Sequence, residues 1–280
     1  MKLSNFRLEI KKSLEPVSKE EADFEADCIL ADLLGCSNSM LRLHFSDEID
    51  ETISKKAMQA VAKRLENEPL QYILGKWEFY SREFYVGEGV LIPRPETELL
   101  VDMAVSFLKG KQNAVCYDLC SGSGCIGISV AKEMPETTVY MLEKSEAAFE
   151  YLKKNVVLNS AVGCVPKLGD LFDGAVLEET ADIILSNPPY IKSSVIGELQ
   201  AEVQKEPHMA LDGGEDGLVF YRAIAVGWLG ALKKGGMLIV EIGEEQSEDV
   251  KKIFEPYFKE VKAIKDYYGN DRVVACTEKI

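Results

Sequence analysis

A glycine-rich turn between two short apolar segments restricts this chain to a small group of folds. Residues 114–119 and 139–143 have the length and the apolar character of buried parallel strands. Between them, Gly122, Gly124 and Gly127 form the pattern G-x-G-x-x-G and lead into a helical stretch. This order of strand, turn, helix and strand is typical of a cofactor-binding turn in an open α/β sheet. The sequence therefore predicts a Rossmann-like α/β fold.

Two acidic residues flank the turn and bear on which cofactor it binds. Glu143 ends the second strand, where an acid can bind the ribose hydroxyls of either a nicotinamide dinucleotide or S-adenosylmethionine. Asp118 leads into the glycines, and its carboxylate would repel a pyrophosphate but attract a cationic sulfonium. The pattern favours S-adenosylmethionine, although a capping role for Asp118 and a solvated role for Glu143 stay open. The loop residues predicted to bind the cofactor are Cys120, Ser121, Gly122, Ser123 and Gly124.

A third apolar segment, residues 165–172, ends in an acidic loop. Asp170 is placed to accept a hydrogen bond from the adenine amino group, and Leu171 to border the adenine ring. Because the carboxyl ends of parallel strands meet at one edge of a sheet, we expect these residues to converge with the glycine-rich turn.

The sequence Asn187-Pro188-Pro189-Tyr190 follows a further buried strand, residues 181–185. Proline fixes its own φ and holds the preceding residue extended, so the Asn187 amide is held in one direction. Asn187 Oδ1 and the Pro188 carbonyl can then present two acceptors beside the ring of Tyr190, which suits a planar NH2 group. We predict these four residues to be catalytic and substrate-binding, with Asn187 also next to the cofactor. A simple strand-ending turn is the alternative.

Arg94 lies between two prolines, which is unusual for an arginine that is only solvated. It either pairs with a carboxylate of the site or contacts the substrate. A long acidic and glycine-rich connection, residues 191–217, is expected to cover the site. Its His208 is disfavoured as a base, because methyl transfer to an amide needs no strong base if the proton leaves after attack.

Composition excludes several classes of function. A net charge of −15 argues against tight binding to bulk duplex nucleic acid, so no stable nucleic-acid partner is expected. The chain has seven cysteines without a C-x-x-C pair and only two histidines, so no metal site is predicted. With no apolar run long enough for a membrane span and no signal peptide, we expect a cytoplasmic protein that does not contact membranes and acts as a monomer.

Changes in composition and in hydrophobic pattern divide the chain into three predicted parts. Residues 1–72 are predicted to form a helical substrate-recognition domain, with a capping box at Ser18 and Glu21 that starts a helix ending at Gly35. Residues 73–92 are aromatic-rich and predict a β-hairpin connector. Residues 93–280 are predicted to form the catalytic domain, whose last helix extends to about residue 258.

Taken together and in order, these motifs resemble the HemK/PrmC family of release-factor glutamine methyltransferases. The matching segments span the whole chain: PLQYILG at 69–75, LIPRPET at 91–97, DLCSGSG at 118–124, NPPY at 187–190, EP at 206–207, GEDG at 214–217 and DR at 271–272.

The resemblance implies a class I methyltransferase fold, with a seven-stranded sheet whose last strand is antiparallel, and a helical domain that contacts the substrate protein. It implies transfer of a methyl group from S-adenosylmethionine to the side-chain amide nitrogen of the glutamine in the Gly-Gly-Gln motif of peptide chain release factors. Position 120 departs from the family, which usually has glycine there; we expect Cys120 to fit because it is small and can adopt an extended φ.

Three other functions are consistent with parts of the pattern. An adenine-N6 methyltransferase of DNA or RNA would share the NPPY motif, because the exocyclic amine of adenine is electronically similar to an amide. A nicotinamide oxidoreductase would share the glycine-rich turn. A non-catalytic cofactor-binding protein would share both motifs but would tolerate the loss of Asn187.

Overall fold

The computed structural model describes residues 1–175 and 180–280. The described chain divides into two compact units. The first contains Met1–Lys76 together with Gln200–Lys205, and the second contains Trp77–Leu199 together with Glu206–Ile280.

The first unit is helical. Its helices are α1 (Leu3–Ser18), α2 (Ala22–Leu34), α3 (Glu51–Leu65) and the short α4 (Leu70–Leu74). Helix α2 ends at Gly35, whose φ of +66° is readily adopted only by glycine. Helix α3 begins after Asp50, whose side chain accepts a hydrogen bond from the Thr52 main-chain N–H at 2.8 Å.

The predicted capping box at Ser18 is wrong. Ser18 is the last residue of α1, and its side chain makes no capping hydrogen bond. Its hydroxyl instead donates to the buried carboxylate of Glu25, which also accepts from Arg64 Nε at 3.0 Å. Arg64 Nη2 in turn donates to Glu202 at 2.6 Å. A buried carboxylate needs hydrogen-bond donors, and this need outweighs the local capping pattern.

The second unit is built on a large sheet. Its first two strands, β1 (Lys76–Phe79) and β2 (Arg82–Tyr85), form a separate hairpin. The other strands are β3 (Val115–Leu119), β4 (Thr138–Glu143), β5 (Cys164–Leu168), β6 (Ala181–Ser186), β7 (Leu232–Glu241), β8 (Phe258–Lys265) and β9 (Asp271–Lys279). The helices are α5 (Glu98–Leu108), α6 (Cys125–Glu133), α7 (Glu146–Leu158), α8 (His208–Leu211), α9 (Val219–Gly227) and α10 (Ser247–Phe254).

Within the described residues the sheet has seven strands in the order β5-β4-β3-β6-β7-β9-β8. Strands β3 to β7 pair in parallel, whereas β9, the last strand of the chain, is antiparallel to both β7 and β8. This confirms the predicted seven-stranded sheet with an antiparallel last strand. The last helix ends at Phe254, because the residues after it leave to form the edge strand β8.

Helices cover both faces of the sheet. Residues of α5, α6 and α7 pack on one face, and residues of α9 and α10 pack on the other. Every residue of β3 is buried, as expected for a parallel strand covered on both sides. On the second face Tyr117 meets the fully buried Trp228 edge-on, with ring centroids 6.0 Å apart. This core fixes the strand ends from which the site loops leave.

Candidate active site

A cavity of about 340 Å³ lies at the carboxyl ends of the parallel strands, entirely within the second unit. Its walls come from the loops after β3, β4, β5 and β6 and from the segment before α5. The predicted site residues that line it are Arg94, Cys120, Ser121, Gly122, Ser123, Glu143, Asp170, Leu171, Asn187 and Pro189. Four predicted residues are described but are not part of its wall: Asp118, Gly124, Pro188 and Tyr190.

The glycine-rich turn is held by its own hydrogen bonds. Ser121 Oγ donates to the main-chain oxygen of Asp118 at 2.7 Å, and the Gly124 N–H donates to the Ser121 carbonyl at 2.7 Å. Gly122 has φ +54°, and a Cβ added there would meet no atom of the described residues within 4 Å. The missing side chain therefore leaves open space on the cavity side, into which a ligand can approach the backbone.

Cys120 has φ +60°, so the expected extended φ is wrong. The turn after β3 needs a left-handed residue at this position, which explains why glycine is the better fit there. Burial raises the pKa of the Cys120 thiol, with the charge of Glu143 acting in the same direction, so the thiol stays protonated. A buried protonated thiol is a small apolar group rather than a nucleophile.

Glu143 receives main-chain hydrogen bonds on both carboxylate oxygens. Oε2 accepts from the Gly122 N–H at 2.8 Å, and Oε1 accepts from the Ser145 N–H at 2.6 Å. Burial raises the pKa of Glu143, and these N–H groups oppose that rise by favouring the charged form. Because each carboxylate oxygen has a further lone pair, Glu143 can still accept from the two hydroxyls of a ribose.

Asp118 lies behind the turn, at the carboxyl end of β3. Its Oδ2 accepts from the Gly127 N–H at 3.0 Å, whereas Oδ1 has no hydrogen-bond partner among the described residues. Burial raises the pKa of Asp118 to about 7; the Gly127 N–H lowers it and the nearby charge of Glu143 raises it. Asp118 thus combines one structural hydrogen bond with one buried acceptor that has no partner among the described residues.

Asp170 and Leu171 form the wall of the cavity after β5. Burial would raise the pKa of Asp170, but its ion pair with Lys144 at 2.7 Å and the Phe172 N–H lower it below the ordinary value. The Leu171 carbonyl accepts from the indole N–H of Trp228 at 2.9 Å, which fixes this loop on the core. The rim beside it is aromatic: the rings of Phe172 and Phe220 lie 5.2 Å apart.

The NPPY segment begins where β6 ends, next to β3 in the centre of the sheet. Ser186 Oγ donates to the Leu119 carbonyl at 2.7 Å and joins the two strand ends. The Asn187 Nδ2 group donates to Thr97 Oγ1 at 3.2 Å, and Thr97 Oγ1 donates to the buried carboxylate of Glu241 at 2.6 Å. The Asn187 amide therefore has its NH2 end fixed to the protein and its oxygen left to accept.

The end of the NPPY segment rests on a glycine loop. The Tyr190 carbonyl accepts from Gln246 Nε2 at 2.9 Å. Gly213 and Gly217 lie so close to the main chain of Tyr190 that a Cβ on either would collide with it. Burial raises the pKa of the Tyr190 hydroxyl, as does the charge of Glu241. Tyr190 is therefore a neutral, fixed side chain at neutral pH.

Arg94 lines the cavity and pairs with a buried carboxylate, that of Glu206. The other oxygen of Glu206 accepts from the Ile92 N–H at 3.0 Å. Of the two roles considered for Arg94, the structure shows an ion pair with a carboxylate, that of Glu206, which is not itself part of the cavity wall, and the contact with the substrate stays a prediction. His208 also lines the cavity, but its side chain is 68% exposed and its Nδ1 lies 3.8 Å from Asp212.

Sequence reasoning missed four residues that hold the NPPY segment or its neighbours: Thr97, Glu206, Glu241 and Gln246. One signal was available for Glu241, because it is an acid at the carboxyl end of an apolar strand, as Glu143 is. Thr97 and Glu206 lie in the segments LIPRPET and EP of the family resemblance, which was the signal available for them, whereas nothing in the sequence marks Gln246.

Two features are absent from residues 1–175 and 180–280, the part of the chain that the structure describes. No helix there is both long enough and apolar enough to cross a membrane. No group of three or more His, Cys, Asp or Glu residues there is arranged to hold a metal ion.

Two domain families match the chain. Residues 7–75 match the family described as the PrmC N-terminal domain, and residues 96–226 match the methyltransferase small domain. Among solved structures, the catalytic domain of hMettl16 in complex with the MAT2A 3′UTR hairpin 6 superposes with a TM-score of 0.59 at 13% identity, covering 81% of this chain and 82% of that one. This likeness shows the fold alone.

Full-length relatives extend the match over both units. The release factor glutamine methyltransferase of Aquifex aeolicus is 36% identical over 272 residues, covering 96% of each chain. The protein of the same name from Thermodesulfovibrio yellowstonii is 41% identical over 218 residues, covering 76% of this chain and 78% of that one. A third, from Clostridium acetobutylicum, is 34% identical and covers 98% of each chain. With such identity over nearly its whole length, and with the NPPY segment beside a glycine-rich turn in one cavity, the chain belongs to the release factor glutamine methyltransferase family.

Proposed function

We propose that this protein transfers a methyl group from S-adenosylmethionine to the side-chain amide nitrogen of the glutamine in the Gly-Gly-Gln motif of peptide chain release factors. One observation carries the proposal. Asn187 and Pro189 line the same cavity as the turn at Cys120–Ser123 and Glu143, so an amide receptor and a nucleoside site face one space. The names of the relatives supply the class of substrate.

The residues around the cavity fit S-adenosylmethionine. Open space at Gly122 admits the methionine part against the backbone, and the two oxygens of Glu143 can accept from the ribose hydroxyls. Asp170 and Leu171 suit the edge and the face of adenine, respectively. Asp118 contributes negative charge behind the turn without being part of the cavity wall. When bound, S-adenosylmethionine supplies an electrophilic methyl group on a sulfonium.

The chain itself contributes positioning rather than a covalent intermediate. Asn187 Oδ1 and the Pro188 carbonyl accept the two protons of the glutamine NH2 group and hold its nitrogen in one place. An amide nitrogen is a weak nucleophile, so fixing both of its protons while leaving one face open favours the pyramidal form that can attack. Tyr190, neutral because its pKa is raised by burial, packs beside this group without supplying a base.

Release factors are proposed as the protein partners, with the helical unit (residues 7–75 of the family match) as the region that recognises them. A net charge of −15 fits a protein that does not form stable complexes with nucleic acid. We further propose that the protein acts as a monomer in the cytoplasm, where release factors work.

The test is to incubate the protein with methyl-labelled S-adenosylmethionine and a release factor, and to map the label by mass spectrometry. We expect one methyl group on the glutamine of Gly-Gly-Gln and none on a release factor with alanine at that position. Asn187→Ala should lower kcat about 100-fold or more while S-adenosylmethionine still binds.

Asn159→Ala is the matched control, because this asparagine lies outside the cavity wall and its side-chain Nδ2 donates to main-chain oxygens of Glu83 and Asn155. Label appearing on DNA or RNA adenine instead of the release factor would refute the proposed substrate. Wild-type activity in Asn187→Ala would refute the proposed site.

A further inference from the structure

A chain of three side chains connects the NPPY segment to the core of the sheet. Glu241, at the end of β7, is 2% exposed, and its Oε2 accepts from Thr97 Oγ1 at 2.6 Å. Thr97, just before α5, is 1% exposed and accepts from Asn187 Nδ2 at 3.2 Å. The three residues come from three separate segments of the chain and meet only in the folded protein.

Counting protons fixes the direction of both hydrogen bonds. A threonine hydroxyl has one proton, and an ionised carboxylate can only accept. Because Thr97 gives its proton to Glu241, it has none for Asn187 and must accept from the Asn187 NH2 group. The carboxamide of Asn187 is thereby oriented with nitrogen inward and oxygen outward, although the two ends of an amide have nearly the same shape.

The charge of Glu241 is what makes this orientation unique. Burial raises the pKa of Glu241 to about 7, while Thr97, Arg272 and Arg94 favour the ionised form and Glu96 opposes it. A neutral group at this place could donate to Thr97, which would free the Thr97 proton for Asn187 and allow the reversed amide. At pH values well above 7 only the orientation with oxygen outward satisfies all three groups.

We propose that Thr97 and Glu241 are positioning residues, which act through Asn187 to present its oxygen, rather than its NH2 group, to the NH2 group of the substrate glutamine. This inference rests on the proposed function, because it assigns the receptor for that same amide. An Asn187 NH2 group turned outward would face the substrate NH2 group donor to donor, and no hydrogen bond would form. Thr97 and Glu241 thus determine that the site accepts an amide nitrogen.

The kinetic test uses pairs of variants at pH 8.5, where Glu241 is ionised. Thr97→Val keeps the shape and removes the hydroxyl, whereas Thr97→Ser keeps the hydroxyl. With a release factor as substrate, we expect Thr97→Val to lower kcat about 5- to 10-fold, the effect of one lost orienting hydrogen bond, and Thr97→Ser to stay within about 2-fold of wild type. Glu241→Gln removes the charge at nearly equal volume and should also lower kcat. The KM for S-adenosylmethionine should not change.

A loss of stability alone could also slow the enzyme, so a control must weaken the same region while leaving the side-chain hydrogen bonds of Asn187, Thr97 and Glu241 in place. Tyr221 provides this control. Its buried hydroxyl donates to the main-chain oxygen of Glu241 at 2.8 Å and takes no part in the side-chain hydrogen bond between Glu241 and Thr97. Tyr221→Phe should lower the melting temperature about as Thr97→Val does, yet leave kcat within about 2-fold.

A second readout needs neither substrate nor cofactor. In protein labelled with 15N at asparagine side chains, the NH2 signal of Asn187 is identified by its disappearance in Asn187→Ala. Its two proton shifts should move in Thr97→Val, because the bonded proton loses its acceptor. They should stay in place in Thr97→Ser and Tyr221→Phe.

The outcomes separate this inference from the proposed function. If the wild-type protein places no label on the release factor, the proposed function itself fails, and if Asn187→Ala methylates the release factor normally, the proposed site fails. If Asn187→Ala is inactive but Thr97→Val or Glu241→Gln keeps the wild-type kcat, the proposed function stands and the positioning role is overturned. Equal loss of kcat in Thr97→Val and Thr97→Ser, or an unmoved Asn187 NH2 signal in Thr97→Val, also overturns it.

Discussion

Asp118→Asn should make this protein more stable while weakening its cofactor site. The Asp118 carboxyl is fully buried, with one oxygen bonded to the Gly127 N–H and the other without a partner among the described residues. Burial raises its pKa from 3.8 to about 7. An asparagine has the same shape and its side-chain oxygen can still accept from the Gly127 N–H. Because it is uncharged, it avoids the free-energy cost of burying a carboxylate.

The direction in which stability changes with pH follows from how many protons the folded and unfolded states bind. Between its unfolded pKa and its folded pKa, Asp118 binds more protons in the native state than in the unfolded chain, so the free energy of unfolding falls as pH rises. The stabilisation from the protonated carboxyl is complete below pH about 4 and is lost as pH rises through about 7. A shift of about three pKa units lowers the free energy of unfolding at pH 8.5 by at most about 4 kcal/mol relative to low pH. About 1–2 kcal/mol of this decrease falls between pH 6 and pH 8.5.

The measurement is urea unfolding of wild type and Asp118→Asn at both pH values. We expect the variant to be the more stable protein, and its advantage to widen by about 1–2 kcal/mol from pH 6 to pH 8.5. Glu241 does not contribute to the pKa shift of Asp118, so its titration should cancel in the comparison, whereas the pKa of Glu143 should fall in the variant because the neighbouring charge is gone. The same variant should bind S-adenosylmethionine more weakly at pH 8.5, because the negative charge behind the turn is gone. A stability difference that does not depend on pH would show that Asp118 titrates normally and would refute the reasoning.

Three further substitutions test other parts of the site. Cys120→Gly should be about 1 kcal/mol more stable than Cys120→Ala, the reverse of the usual order, because φ at this position is +60°; urea unfolding giving the usual order would contradict the left-handed turn. Glu206→Ala should lower the free energy of unfolding by about 2–4 kcal/mol, because it leaves the Ile92 N–H and a cavity-lining arginine unpaired; a thermal melt close to wild type would argue against that buried pair. Gly217→Ala should lower the free energy of unfolding by about 2–4 kcal/mol and abolish methyl transfer, because φ is +76° at this position and the added Cβ would collide with the Tyr190 carbonyl. Retained activity would show that the NPPY segment can move without loss of function.

Some features of the site are local and could therefore be predicted from the sequence. The stiffness of the NPPY segment follows from the bonded neighbours of Asn187, and the open turn follows from Gly122. The parallel strands β3 and β6 are mostly apolar because they are covered on both faces, so their sequence marks them as strands even though each contains one aspartate.

Other features depend on contacts between distant residues and could not. Residues 258–265 show no regular alternation of apolar and charged side chains, and they form the edge strand β8 by pairing with β9. Cys120 was expected to be extended, whereas the close approach of two strand ends imposes a left-handed turn. No property of these segments on their own reveals either outcome.

The sequence by itself predicted an amide receptor and a nucleoside site, because proline geometry and glycine spacing act between bonded neighbours. Only the tertiary structure decided which end of the Asn187 amide is presented. That choice depends on hydrogen bonds across 90 residues to Thr97 and across a further 144 residues from Thr97 to Glu241. The order of strands in the sheet brings Asn187 next to the buried side chains of Thr97 and Glu241, where one proton on Thr97 leaves a single arrangement that satisfies every group.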